Sequence, residues 1–147
     1  MKLTRGTDYG IIAILYLAMQ PLDRVTLLHE IAQSQDVPES YLAKIFQDLS
    51  KEGLVRSRRG AKGGVSLARP SSEITLRQVI EALQGPISLN RCLDIREDCP
   101  HAETCSVAPV LQKAQEQLLT TLDAATFDAL ASESRALHSK HMARTLR

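Results

Sequence analysis

The stretch from residue 38 to residue 68 constrains the fold most, because a striped helix pattern there is followed at once by a glycine-rich hairpin pattern. Pro38 favours a helix start and Gly53 a helix end, so the sequence predicts a helix over residues 39–52. Two short runs, 54–57 and 65–68, flank a basic tip and predict a two-stranded hairpin. The apolar stripe of the helix consists of Leu42, Ile45, Phe46 and Leu49.

Two further helix patterns precede this unit. The apolar spacing over residues 3–19 predicts a first helix that Pro21 ends. Thr26 is a good N-cap for a second helix over residues 27–34, and a four-residue turn separates it from the striped helix. Many small helical domains contain such a helix pair, but a hairpin directly after the second helix indicates a winged helix-turn-helix.

The net charge of +1 conceals a basic segment in the middle of the chain. Residues 51–69 carry six Lys or Arg against one acid, whereas residues 71–147 carry eight basic and ten acidic residues. Glycines at 60, 63 and 64 would let the backbone approach phosphates, and the cations would release counterions from DNA. A solvated basic loop is the alternative, but helix pair, hairpin and charge together favour DNA binding.

Composition argues against several other classes. Aromatic content is 3% with no tryptophan, which disfavours an RNA-binding sheet of stacked aromatic side chains. The amino terminus lacks the apolar core of a signal peptide, and no apolar run approaches the length of a membrane span. We therefore expect a cytoplasmic protein.

The remainder of the chain shows two more helix patterns around a cysteine-containing loop. Thr75 and Gln78 form a capping-box pattern for a helix that ends at Gln84. From Val107 an apolar stripe predicts a helix of about sixteen residues, which is either a subunit interface or packed on its own domain. The expected division is a winged-helix DNA-binding domain at 1–85, a cysteine loop at 86–106, a dimerisation helix region at 107–131 with a short helix at 126–131, and a disordered tail at 132–147.

All three cysteines, Cys92, Cys99 and Cys105, lie within residues 92–105, which we call the cysteine segment. Their odd number argues against a disulfide scaffold. An iron-sulfur cluster would need a fourth ligand, for which His101 and Asp8 are the main candidates. A zinc site with three cysteines and His101 is a competitor, although the Cys-x2-Cys pair common in zinc sites is absent. Bare redox-active thiols are the third hypothesis.

From Met1 to about Leu130 the chain resembles the winged-helix bacterial repressors of the IscR and NsrR kind (Rrf-two type). Three motifs and the cysteine positions carry the resemblance: Met1-Lys-Leu-Thr-Arg-Gly-Thr-Asp8-Tyr9-Gly, Val37-Pro-Glu-Ser-Tyr41-Leu-Ala-Lys-Ile-Phe46-Gln-Asp-Leu, and Gly53-Leu-Val-Arg-Ser-Arg-Arg59-Gly-Ala-Lys-Gly63-Gly64. The resemblance implies a mainly α fold, a winged helix-turn-helix with a small β-hairpin wing and a long C-terminal dimerisation helix. It also implies a homodimer on a palindromic operator in double-stranded DNA.

The resemblance further implies that the three cysteines ligate a 4Fe-4S or 2Fe-2S cluster. The IscR branch has a histidine where this chain has Ala108, whereas the NsrR branch uses an aspartate near the amino terminus of the partner subunit. Asp8 matches that aspartate and is therefore preferred to His101 as the fourth ligand, which favours the NsrR branch. The expected DNA contacts, from the resemblance and from local charge, are Lys2, Arg5, Ser40, Tyr41, Lys44, Arg56, Arg58, Arg59 and Lys62.

The sequence therefore predicts a transcriptional repressor, not an enzyme. Its operator affinity would be switched by an iron-sulfur cluster that senses nitric oxide, redox state or cluster supply. A cluster-free repressor whose thiols respond to oxidants or sulfur metabolites is the alternative. A small electron carrier or thiol enzyme is a remote one, because the chain has no glycine-rich nucleotide fingerprint and no nucleophile beside a recognisable base.

Overall fold

The computed structural model describes residues 1–61, 63–94, 99–101 and 103–147. This part of the chain is mainly helical with one antiparallel hairpin, which confirms the predicted fold class. None of the helices within it is long and apolar enough to cross a membrane. The elements are α1 (Arg5–Ala18), α2 (Leu28–Gln35), α3 (Glu39–Lys51), β1 (Val55–Arg58), β2 (Gly64–Leu67), α4 (Leu76–Gln84), α5 (Ala108–Ala124) and α6 (Phe127–Thr145).

Helix α3 is positioned by the apolar stripe that the sequence predicted. Its four stripe residues are each at most 5% exposed and join the core formed with α1 and α4. Ile14 and Leu17 of α1 lie in the same cluster. Because burying an aliphatic side chain contributes about 1.5–3 kcal/mol, this stripe fixes the rotation of α3 about its axis. The opposite face of α3 is therefore held towards solvent.

The hairpin joins the helical core through Thr26. Strands β1 and β2 pair in the register Val55↔Leu67 to Arg58↔Gly64, and Thr26 forms a further bridge to Val65 with two backbone hydrogen bonds of 2.8 Å. A Cβ on Gly64, whose φ is +153°, would clash with the Thr26 carbonyl, so this close approach requires glycine.

The predicted N-cap role of Thr26 is wrong. Leu27 occupies the N-cap position of α2, and the buried Thr26 hydroxyl has no hydrogen-bond partner among the described residues. The backbone of Thr26 pairs with the hairpin instead, so strand pairing displaces the local capping preference. At α4, by contrast, the predicted capping box between Thr75 and Gln78 is present.

Helix α5 runs over Ala108–Ala124, close to the predicted length, and none of its 17 residues is buried. Arg77 of α4 donates to Asp123 of α5 at 2.7 Å, and this hydrogen bond raises the pKa of Arg77. The side chain of Val110 is 67% exposed. In the single chain the apolar stripe of α5 is thus only partly covered.

Helix α6 corrects the expectation of a short helix at 126–131 followed by a disordered tail. It begins at Phe127 and continues to Thr145. Residues 132–145 contain neither glycine nor proline and are rich in good helix formers, so nothing in the sequence interrupts the helix. Arg135 also donates to the carbonyl oxygen of Ala18 at 3.3 Å, which attaches α6 to α1.

The attachment of α6 to the winged helix can be tested at Phe127, which is fully buried and whose N–H donates to Ile74 at 2.9 Å. We expect Phe127→Ala to lower the free energy of unfolding by about 3–5 kcal/mol, because it leaves a cavity. Leu137→Ala, on the exposed side of the same helix, should change it by less than about 0.5 kcal/mol. Urea unfolding measures both, and equal effects would contradict the packing described.

Candidate nucleic-acid interface and cysteine segment

The outward face of α3 carries the side chains predicted to contact DNA. Ser40, Tyr41 and Lys44 are all exposed, opposite the buried stripe. Gln47, which the sequence analysis did not single out, is exposed one turn further along the helix. These residues form a polar surface on a helix whose rotation is fixed by its core face.

Tyr41 also contacts α1. Its ring meets that of Tyr9 edge-on, with centroids 5.5 Å apart and an interplanar angle of 88°. A Cβ on Gly6 would lie 3.2 Å from the Tyr41 hydroxyl, so the absence of a side chain at Gly6 makes room for the tyrosine. Tyr41 remains 42% exposed. It can therefore contact a ligand while joining α3 to the first turns of α1.

The first four residues form an N-terminal arm that Gln84 connects to the end of α4. The Oε1 atom of Gln84 accepts from Thr4 N at 3.2 Å and from Thr7 Oγ1 at 2.8 Å. Its Nε2 atom donates to the carbonyl oxygen of Lys2 at 3.4 Å. The predicted DNA contacts Lys2 and Arg5 are exposed on either side of this connection.

The arm lies beside α3. Thr4 and Gly6 line a cleft of about 160 Å³ together with Tyr41 and Lys44. Gln84 therefore helps to set where the arm lies relative to the recognition face. No local sequence signal indicates this role, because the partners of Gln84 are 77 to 82 residues away.

The hairpin presents the predicted cations Arg56, Arg58 and Arg59 as exposed side chains, while Lys62 lies outside the described residues. The tip is a tight turn in which Gly63 N donates to Gly60 O at 2.8 Å. A Cβ at Gly63 would clash with the Arg58 carbonyl. Glycine thus keeps the tip compact and leaves its arginines at the surface.

All three cysteines are free and half-buried. Cys92 lies in a short 3-10 turn, Arg91–Leu93, where the Asn90 side-chain amide is 3.5 Å from its sulfur. Among the described residues, no three His, Cys, Asp or Glu side chains form a group that could hold a metal ion. Free thiols are suitable ligands for iron, and their role as cluster ligands stays a prediction.

The two candidate fourth ligands, Asp8 and His101, are both at the surface. Asp8 is exposed in the first turn of α1. His101 is exposed in a turn closed by a hydrogen bond of 3.1 Å from Thr104 N to its carbonyl oxygen. Among the described residues, neither forms a metal-holding group with two or more of the cysteines. The choice of Asp8 over His101 therefore stays a prediction.

The residues leading into the cysteine segment are bonded to both neighbouring helices. Ile87 N donates to Glu81 of α4 at 3.3 Å, and Leu89 N donates to Gln115 of α5 at 3.0 Å. Ile87 itself is 6% exposed. The residues just before the cysteine segment are thus bonded to the last turn of α4, which also carries Gln84 and its bonds to the N-terminal arm.

A helix-turn-helix with a paired hairpin, an outward polar helix face and exposed arginines defines a winged-helix DNA-binding regulator. The chain belongs to the Rrf2 family, described as iron-dependent transcriptional regulators, whose model matches residues 3–133. Members of this family bind DNA, typically as dimers, and are transcription regulators and not enzymes. The expectation that the chain is not an enzyme is therefore confirmed.

Three similar proteins illustrate the match. Protein aau3 of Rhizobium meliloti (strain 1021) is 36% identical over 131 residues, covering 88% of this chain and 84% of that protein. The structure of CymR (YrzC), the global cysteine regulator of B. subtilis, is 32% identical with a TM-score of 0.71, covering 90% of this chain and 98% of that one. T. potens IscR is 28% identical with a TM-score of 0.68, covering 92% and 90%.

If Gln84 holds the N-terminal arm beside α3, removing its hydrogen bonds should weaken operator binding. Gln84→Ala should lower operator affinity about 5- to 10-fold, because it removes hydrogen bonds worth about 1 kcal/mol each that hold the arm. Gln84→Glu keeps an acceptor for Thr4 and Thr7 and should retain most of the affinity. Fluorescence anisotropy at fixed salt measures both variants, and similar losses in the two would contradict the role.

The wing arginines can be tested through salt dependence. If Arg59 contacts the DNA backbone, Arg59→Gln should reduce the slope of log affinity against log salt concentration by about 0.9. Arg144→Gln, an exposed arginine near the end of α6, is the matched control and should leave the slope unchanged. An unchanged slope for Arg59→Gln would remove this residue from the interface.

Proposed function

We propose that this protein is a cytoplasmic, homodimeric transcriptional repressor whose affinity for a palindromic operator is set by chemistry at Cys92, Cys99 and Cys105. In this proposal the cysteines hold an iron-sulfur cluster that responds to nitric oxide, redox state or cluster supply. The observation that carries the proposal is the pair of hydrogen bonds joining Ile87 and Leu89, just before the cysteine segment, to α4 and α5, with α4 ending at Gln84 beside the N-terminal arm.

The exposed apolar side chains of α5 support the dimer. Val107, the N-cap residue of α5, is 56% exposed, and Val110 within the helix is 67% exposed. None of the 17 residues of α5 is buried in the single chain. Pairing with the same helix of a second copy would remove this apolar surface from water. Because dimers read half-sites about 34 Å apart, a small change in subunit geometry would lower affinity at both half-sites together.

The ligand set would be the three thiolates and one further group. The exposed position of Asp8 in the first turn of α1 supports a ligand reaching out of its own chain, so we propose Asp8 of the partner subunit, with His101 as the runner-up. When bound, a 2Fe-2S or 4Fe-4S cluster would supply an iron centre that nitric oxide or oxidants can attack. A carboxylate is a weaker iron ligand than a thiolate and would leave that iron more open to attack.

The switch would act through a rearrangement of residues 92–105. In this proposal, assembly of the cluster brings the three cysteines to one centre, and its loss releases them. The hydrogen bonds from Ile87 to Glu81 and from Leu89 to Gln115 would pass that movement to α4 and α5. In the same last turn of α4 as Glu81, Gln84 would then shift the arm beside the recognition helix.

A cluster-free thiol switch is the second candidate, and two observations favour it. All three thiols are free and half-buried, which is the reduced state that a thiol switch requires. The chain is also similar to the oxidized form of Staphylococcus aureus CymR, at 27% identity and a TM-score of 0.68. In this alternative two thiols form a disulfide, losing two electrons and two protons to an oxidant.

Anaerobic purification followed by a nitric oxide titration decides between the two candidates. For the cluster switch we expect a coloured protein with stoichiometric iron and sulfide, and a loss of operator affinity of at least about 10-fold as the visible absorption changes. Cys99→Ser should abolish the cluster. Asp8→Ala should alter the spectrum or the nitric oxide reaction, and Glu133→Ala, an exposed acid on α6, should alter neither.

Two outcomes would contradict the cluster proposal. Unchanged operator affinity after complete cluster loss would show that the cluster does not control DNA binding. A colourless protein without iron or sulfide, whose operator affinity changes with a thiol oxidant and is restored by a reductant, would establish the thiol switch instead.

A further inference from the structure

An arginine-rich cleft of about 480 Å³ lies on the part of the molecule where the end of α1, the base of the hairpin and α6 meet. None of the residues lining it belongs to the cysteine segment, to α4 or to α5. Four guanidinium side chains and two carboxylates line it. They are Arg24, Arg56, Arg69 and Arg135, with Asp23 and Asp128. We call this the arginine cleft.

The arginines of this cleft differ in how far the protein satisfies them. Arg24 pairs with Glu30 at 2.9 Å, and Arg135 donates to the Ala18 carbonyl at 3.3 Å. The described part of the chain offers the exposed Arg56 side chain no hydrogen-bond acceptor and no ion pair. The guanidinium group of Arg56 is therefore available to a ligand in the cleft.

We propose that the arginine cleft binds a small organic anion carrying a phosphate or carboxylate group. Guanidinium groups bind both anions through paired N–H donors, and the hydroxyl groups of Ser71 and Ser72 line the same cleft. Leu17, Leu22 and Leu67 add apolar walls that inorganic ions alone would not use. The volume lies within the range of small-ligand sites, about 300–1,000 Å³.

The acidic residues near the cleft do not reverse the preference for an anion. Asp23 and Asp128 offset two of the four positive charges, and Glu30 offsets that of Arg24. Arg69 also borders a smaller cleft that contains Glu52 and Glu81, but no ion pair within 4 Å joins it to either in the described structure. An anion bound in the cleft beside Arg69 and Arg135 would supply the acceptors that Arg56 lacks.

The position of the cleft also suggests what binding would change. Arg56 belongs to β1 of the hairpin and Arg135 belongs to α6, so an anion held by both would connect the wing to the C-terminal helix. Through the wing, such a ligand would alter operator affinity. This regulatory consequence rests on the proposed function, whereas anion binding itself does not.

Thermal unfolding of the full chain without DNA tests the binding site, with inorganic phosphate and succinate as probes and sodium chloride at matched ionic strength as the reference. We expect one of the two anions to raise the Tm by about 3 °C near saturation. Arg135→Gln and Arg56→Gln should each weaken binding of that anion at least about 10-fold by calorimetry. Arg144→Gln, on the same helix as Arg135 but outside the cleft, should bind it like the wild type.

The proposal is overturned if neither anion stabilises the protein beyond sodium chloride, or if the cleft variants bind the anion as well as the wild type. It is also overturned if the variants lose operator affinity but keep the full response to the anion, since these arginines would then contact the DNA backbone. Arg56 is exposed, so its substitution keeps the result interpretable if Arg135→Gln fails to fold. Because neither DNA nor the cysteines enter the thermal and calorimetric measurements, failure of anion binding there leaves the proposed repressor function untouched.

Discussion

The burial of the apolar stripe of α3 against α1 and α4 is the interaction on which the rest of the structure depends. With Leu42 and Leu49 fully buried, α3 cannot rotate about its axis without exposing core side chains. The same contact fixes two other things. It places α1, and hence the N-terminal arm, beside the recognition face, and it places α4 where its last residue can reach that arm. One packed surface therefore orients every helical element proposed to meet DNA.

The hairpin obtains its position differently, from backbone pairing. The bridge between Thr26 and Val65 attaches the wing to the segment just before α2, and the buried Val55 and Val65 add it to the core. Here the local and tertiary preferences compete. Thr26 is a good helix cap, yet its backbone forms the bridge while its hydroxyl is buried without a partner among the described residues. Two backbone hydrogen bonds and the buried valines outweigh one side-chain cap.

The example of Thr26 shows which features of the fold the sequence predicts and which it does not. Periodicity and helix-end residues predicted α1, α3, α4, α5 and the hairpin, because those signals are local and agree with the packing. Gln84 had no such signal, since its partners are distant in sequence and only the contact of α4 with α1 brings them together. The length of α6 was underestimated because its polar composition suggested a tail, whereas helix propensity and the Arg135 contact extend it.

The cysteine segment and α5 each leave something for a second subunit to complete. Three thiols in fourteen residues favoured a metal centre over bare redox thiols, and the described residues of one chain form no group of three metal ligands. None of the residues of α5, the helix that follows the cysteines, is buried in the single chain, so its apolar stripe lacks a partner surface. Both deficits have a common explanation if the second subunit both covers α5 and contributes to the cysteine site. Cluster assembly and dimer geometry would then be a single equilibrium, in which a change at the thiols necessarily changes the spacing of the two recognition helices.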